Sequence, residues 1–154
     1  MTGTVEISRL RSRIAATLTR APLPTADPEV QSDFAKYFCV LVTGLLETAL
    51  TALVLEVAQR RSAPEIARYV ERHLDRWTNP NCEKIAQLLG DFSPGWRSSI
   101  EGYLVDERKD AVNSLVALRH QIAHGENVGT TLGQVKRYYA TVIDVIDFVT
   151  KLVR

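Results

Sequence analysis

Arg119, His120 and His124 fall within six residues, in the run Ala117-Leu118-Arg119-His120-Gln121-Ile122-Ala123-His124-Gly125. Arginine is a permanent cation whose planar fork grips phosphate, and histidine is the side chain that exchanges protons near neutral pH. Together they suffice to cut a phosphodiester by acid–base chemistry without a metal. In RNA the 2′-hydroxyl attacks the neighbouring phosphorus and leaves a cyclic phosphate and a free 5′-hydroxyl. Arg119 suits the clamp on the developing phosphorane charge, His124 the proton transfer, and His120 an assisting role. The chain holds only three histidines, so this concentration is notable.

The same residues have plainer readings. Arg119 alone reads equally well as a surface arginine in a charge pair. His120 and His124, at i and i+4, share a helix face and could bind zinc, but no cysteine or third histidine lies near in sequence. The spacing also sets a geometric difficulty. Five residues turn an ideal helix by about 500°, so Arg119 and His124 point roughly 140° apart. Either the helix ends early and His124 swings back, or a phosphate sits between motifs from two subunits related by a two-fold axis. The symmetric dimer is the favoured expectation.

Elements must position these groups, and the pattern is helical nearly throughout. Ile7, Leu10, Ile14 and Leu18 recur at helix spacing on a first helix decorated by Arg9, Arg11, Arg13 and Arg20. Those arginines are read as a solvated face, with tracking of an RNA backbone as the alternative. Prolines at 22, 24 and 28 break the chain, and Asp27-Pro28 opens a long, mostly apolar helix to about Arg60, expected at the centre of the fold. A third helix restarts at Ser62-Ala63-Pro64-Glu65, and Thr78-Asn79-Pro80-Asn81 punctuates it. A short helix ending near Gly90 follows, and Ser93-Pro94-Gly95-Trp96 opens another. Asp106 is expected to cap the motif helix, which is apolar at Ala111, Leu115, Leu118 and Ile122. Thr131 and Gln134 form a capping-box pair for the last helix, with Val135, Tyr138, Val142, Ile146, Val149 and Leu152 inward. Trp77 and Trp96 are read as core anchors, and Cys39 and Cys82 as packing residues. Tyr138 and Tyr139 are candidate base-stacking residues, although one of two adjacent helical positions belongs to the core.

The class is all-α, a bundle with a long central helix and additional short helices, in one domain over residues 1–154. A net charge of +1 excludes a globally basic nucleic-acid coat but not a local patch. Two cysteines in no ligand spacing suit a reducing cytosol. The region from Phe34 to Ala58 is interrupted by Lys36, Glu47 and Glu56, whereas a membrane span wants about 20 apolar residues. A cytoplasmic protein with no membrane partner, no cofactor and no metal is expected.

Arg119 and His124, with a polar residue directly after the arginine and a helix end beyond, resemble the R-x(4–6)-H signature of HEPN domains. The stretches Asn79-Pro80-Asn81-Cys82-Glu83-Lys84-Ile85 through Trp96 and Asn113-Ser114-Leu115-Val116-Ala117-Leu118-Arg119 resemble the RiboL-PSP-HEPN branch. So does Gly44-Leu45-Leu46-Glu47 in the long helix, where that branch carries an acidic residue. The resemblance implies a HEPN-like bundle and a small metal-independent endoribonuclease, with Arg119 and His124 catalytic and His120 assisting. Glu47 is expected either to hold Arg119 or a histidine from the central helix or to be an ordinary buried carboxylate paired with an arginine. It implies RNA as partner and a homodimer with a shared active-site groove. It also implies a place in toxin–antitoxin systems or antiviral defence, with an antitoxin or regulatory protein as a further partner. Some toxins of the family carry a tyrosine two residues past the motif histidine, where a nucleotidyltransferase modifies them. Glu126 stands there in this chain, so that control is not expected. The alternative is a catalytically silent HEPN-like module that binds RNA or nucleotide or docks a protein.

Overall fold

The computed structural model describes residues 2–154. Among them the elements are helices: α1 (Thr2–Leu18), α2 (Pro28–Arg61), α3 (Pro64–Leu74), α4 (Cys82–Phe92), α5 (Pro94–Tyr103), α6 (Asp106–Ala123) and α7 (Leu132–Val153). The all-α expectation holds, and so does the long central helix.

The local rules explain most boundaries. Asp27 accepts from the backbone N–H of Glu29 at 2.8 Å while Pro28 pre-sets the first turn of α2. Arg60 and Arg61 close α2 where its dipole favours cations. Asn81 caps α4 through the N–H of Lys84, and Ser93 caps α5 through that of Trp96. α4 does not end at Gly90: it runs to Phe92, and the break falls at Ser93-Pro94, where proline removes the next donor. Gly90 instead admits the Arg97 side chain, which a Cβ there would meet at 3.0 Å.

Two capping expectations are corrected. Asp106 makes no side-chain cap; Val105 occupies the N-cap position, and Asp106 is the first helical residue, at φ 52°. A left-handed backbone turns the chain there, which asparagine and aspartate tolerate better than most residues. Thr131 does accept from the N–H of Gln134 at 3.1 Å, but the Gln134 side chain donates forward to the Tyr138 hydroxyl and accepts from the Thr130 hydroxyl rather than from the backbone N–H of Thr131. One half of the capping box is present.

α2 is the element around which the others pack, with α1, α3, α6 and α7 against it. Phe38, Val42, Leu45, Leu46, Leu50 and Val54 are fully buried along its length. Each such side chain stabilises the fold by about 1.5–3 kcal/mol through apolar area removed from water. By length and hydropathy α2 would also qualify as a membrane span, with a mean hydropathy of 2.1 over its best window. More than half of that window is buried by the rest of the bundle, the disposition of a core helix. α4 and α5 pack as a pair, tied to α7 by Tyr103 stacked on Phe148 at 4.0 Å between ring centres. Trp77, Trp96, Tyr138 and Tyr139 are only partly buried at the edge of the core. Cys39 and Cys82 are buried free thiols, as packing residues should be. Burial pushes Cys39 up to about 11 and also raises Cys82.

On α6 the buried side chains are Val112, Leu115 and Val116, with Leu118 and Ile122 partly buried beside them. This stripe fixes the rotation of the helix and therefore which way the motif residues face.

Candidate functional site

The motif ends α6 in a well-defined stop. The N–H of Gly125 donates to the carbonyl of Ile122 at 3.1 Å, and that of Glu126 to Gln121 at 3.0 Å. With Gly125 at φ 71°, these are the two bonds of a Schellman ending, in which a left-handed residue lets two free carbonyls find donors. His124 is the C-cap, at φ −90° and ψ 8°, and its N–H still donates to His120. It therefore stays on the face of His120. The two rings lie 4.3 Å apart, tilted by 59°, and both side chains are exposed.

Arg119 faces elsewhere. Half-buried, it donates from Nη1 to Oδ1 of Asn79 at 3.1 Å. It has no ion pair among the described residues, and neither a hydrogen bond nor a ring contact joins it to His124. Of the two ways round the 140° divergence, the returning His124 is not the one adopted.

Glu47 does not hold Arg119 or a histidine directly. Its carboxylate accepts from the Thr78 hydroxyl at 3.2 Å, one residue before Asn79. The expected contact of Glu47 with Arg119 or a histidine is therefore not made. Thr78 lies on the same loop as Asn79, the partner of Arg119.

That loop is held from several sides. The Lys84 ammonium donates to the Thr78 carbonyl, and the N–H of Asn81 donates to the Asn79 carbonyl at 2.7 Å across Pro80. From α6, Asn113 Oδ1 accepts from the N–H of Cys82 at 2.9 Å. Asn79 itself sits at φ 55°, although a residue before proline ordinarily takes extended backbone. Sequence reasoning marked 78–81 as a chain break and Asn113 as part of a motif, and gave neither a site role. The available signal was the pair of asparagines around a proline, which announces a turn but not the cation it faces.

Beside His120 runs an open groove of about 1300 Å³. Its walls carry Glu83, Glu101, Asp106, Asp110 and Glu126 against Lys109. Arg97 lies within 3.2 Å of Glu83 and 2.9 Å of Glu101, and with Lys109 it offsets only two of the five carboxylate charges, so the wall stays net negative. Such a wall repels a polyanion. Among the described residues no group of three or more His, Cys, Asp or Glu side chains could hold a metal ion.

A half-buried arginine, seated by a neutral amide and followed by two exposed histidines at a helix stop, is the arrangement that the family comparison meets. The RiboL-PSP-HEPN family model matches residues 6–154. The chain belongs to the RiboL-PSP-HEPN family. No curated protein and no solved structure matches it. The HEPN assignment covers α2 to α7 entirely and most of α1, so the Arg119–His124 motif lies within the matched domain.

Proposed function

We propose that this HEPN domain is a metal-independent endoribonuclease in which Arg119 and His124 carry the chemistry and His120 assists. The observation that carries the reading is the un-neutralised Arg119 guanidinium. It is held by an amide oxygen rather than a carboxylate, so its full charge remains for a phosphate.

In the proposed step the 2′-oxygen bonds to phosphorus as the bond from phosphorus to the 5′-oxygen breaks. The 2′-hydroxyl proton goes to a base, and the departing 5′-oxygen takes a proton from an acid. Arg119 stabilises the charge that grows on the phosphoryl oxygens, and His124 serves in proton transfer. Arg119 and His124 diverge within one copy, so the working site is a homodimer with both motifs in one cleft. The setting that fits is a cytoplasmic toxin or antiviral effector restrained by an antitoxin or regulatory protein.

Incubation with total RNA in excess EDTA tests this, beside Arg119→Ala and His124→Ala proteins of unchanged circular dichroism. Cleavage by the parent alone, leaving cyclic-phosphate or 3′-phosphate ends, is expected. Equal cleavage by the variants would sink the reading. The acidic groove is the feature that favours the second reading, a silent module docking a protein partner. RNA left intact with and without added metal would select it.

A further inference from the structure

We infer that Asn79 is a neutral positioning residue that seats the Arg119 guanidinium for phosphate, and that Glu47 acts in the site only by holding Asn79's loop. This rests on the ribonuclease reading of Arg119 and deepens it.

Three features of the structure lead there. First, the 3.1 Å bond from Nη1 to Asn79 Oδ1 is the hydrogen bond that Arg119 makes among the described residues, although a guanidinium has five donors. The remaining N–H groups are left for a ligand. Second, the backbone of Asn79 is in the left-handed region at φ 55° and precedes Pro80, a combination that costs conformational energy. Asparagine is among the few side chains that tolerate it. Third, the flanking residues are pinned by α2 through Glu47, by α4 through Lys84 and by α6 through Asn113. A strained turn fixed from three helices keeps one amide aimed at one cation.

The neutrality of the seat matters as much as its position. A carboxylate at residue 79 would hold Arg119 at least as firmly but would cancel the charge that a phosphate needs. An amide oxygen orients the fork and leaves the charge intact. The Glu47 carboxylate accepts from the Thr78 hydroxyl and makes no ion pair with Arg119 among the described residues.

The test uses the full chain with Asn79→Gly, Asn79→Asp, Arg119→Ala and the Asn79→Gly/Arg119→Ala double variant. Glycine accepts φ 55° without strain, so Asn79→Gly removes the amide and leaves the turn. Four readouts are taken: the melting midpoint, cleavage kcat and KM, affinity for a 2′-O-methylated RNA that cannot be cut, and NMR order of the Arg119 Nε–H. Asn79→Gly is expected to keep the fold, loosen Arg119, and lower kcat/KM by roughly 10–100-fold. It should cost nothing further in affinity when Arg119 is already alanine, because the effect passes through that side chain. Asn79→Asp should keep Arg119 ordered yet weaken RNA binding. An Arg119 Nε–H equally ordered without the amide would overturn the proposal, whether or not RNA is cut. So would an equal loss of affinity in the parent and Arg119→Ala backgrounds, or parental binding by Asn79→Asp. If the parent neither cuts nor binds RNA while Asn79→Gly still frees Arg119, the seat stands and the ribonuclease reading falls.

Discussion

The two halves of the motif are built on different principles, although Arg119 and His124 are only five positions apart. The histidine half is local. His120 and His124 meet because i and i+4 share a helix face, and the helix stops at Gly125, whose N–H donates three positions back while that of Glu126 donates five positions back. The arginine half is tertiary. Its partner Asn79 lies 40 residues away, on a loop held by α2, α4 and α6. On the proposed reading, a proton-transfer group can therefore stand in solvent on an ordinary helix end, while the phosphate clamp needs the whole bundle to be folded around it.

The largest separation between the halves should come from His124→Ala. It is expected to lower kcat by about 10²–10⁴-fold with no change in melting midpoint, because an exposed ring that packs on little is being removed. A matching fall in stability would mean that the histidine half is structural. Asn113→Ala attacks the other half at a distance, since it leaves the Cys82 N–H without its partner. A loss of about 1–3 kcal/mol in urea unfolding is expected, together with weaker RNA binding. Unchanged binding would show that the loop keeps Asn79 in place without α6. Gly125→Ala strains the helix stop at φ 71° and is expected to cost about 1–2 kcal/mol. It should reduce cleavage while leaving the Arg119–Asn79 pair intact by NMR, and a disturbed pair would show that the halves are coupled.

The smallest effect probes the core beneath Arg119, where Cys39 packs with its Sγ 3.8 Å from the Leu115 carbonyl. Burial raises this thiol to about 11, so the folded state keeps the proton after the unfolded state has lost it. Its contribution to stability is whole below the unfolded value near 9 and falls as pH rises towards 11. Cys39→Ala should flatten the decline in unfolding free energy across that window. An unchanged slope would show that Cys39 is not the group responsible.

Much of this was legible before any coordinates. Asp27-Pro28, Asn81 and Ser93-Pro94 announce helix starts with side chains that satisfy free N–H groups nearby, and such signals survive tertiary packing. The Asp106 reading failed for a related reason. A capping residue type was present, but the chain had to turn sharply after Leu104, and the left-handed backbone at residue 106 moved the helix start to it. Gly90 misled because a glycine inside a helix can serve close packing, here of Arg97, as well as termination.

By itself the sequence determined the helical class, the central helix, the motif and the face shared by its two histidines. Each depends on periodicities and caps that act within a few residues, so the information is contiguous along the chain. Only the tertiary structure decided that Arg119 turns from His124 to Asn79, and that Glu47 reaches Thr78 instead of the arginine. It also decided that a carboxylate-lined groove flanks His120. These are meetings between residues 31 to 40 positions apart, or among several helices. Apolar stripes set how each helix turns against the core, but no pattern within one helix specifies which residues of another element its polar side chains will meet.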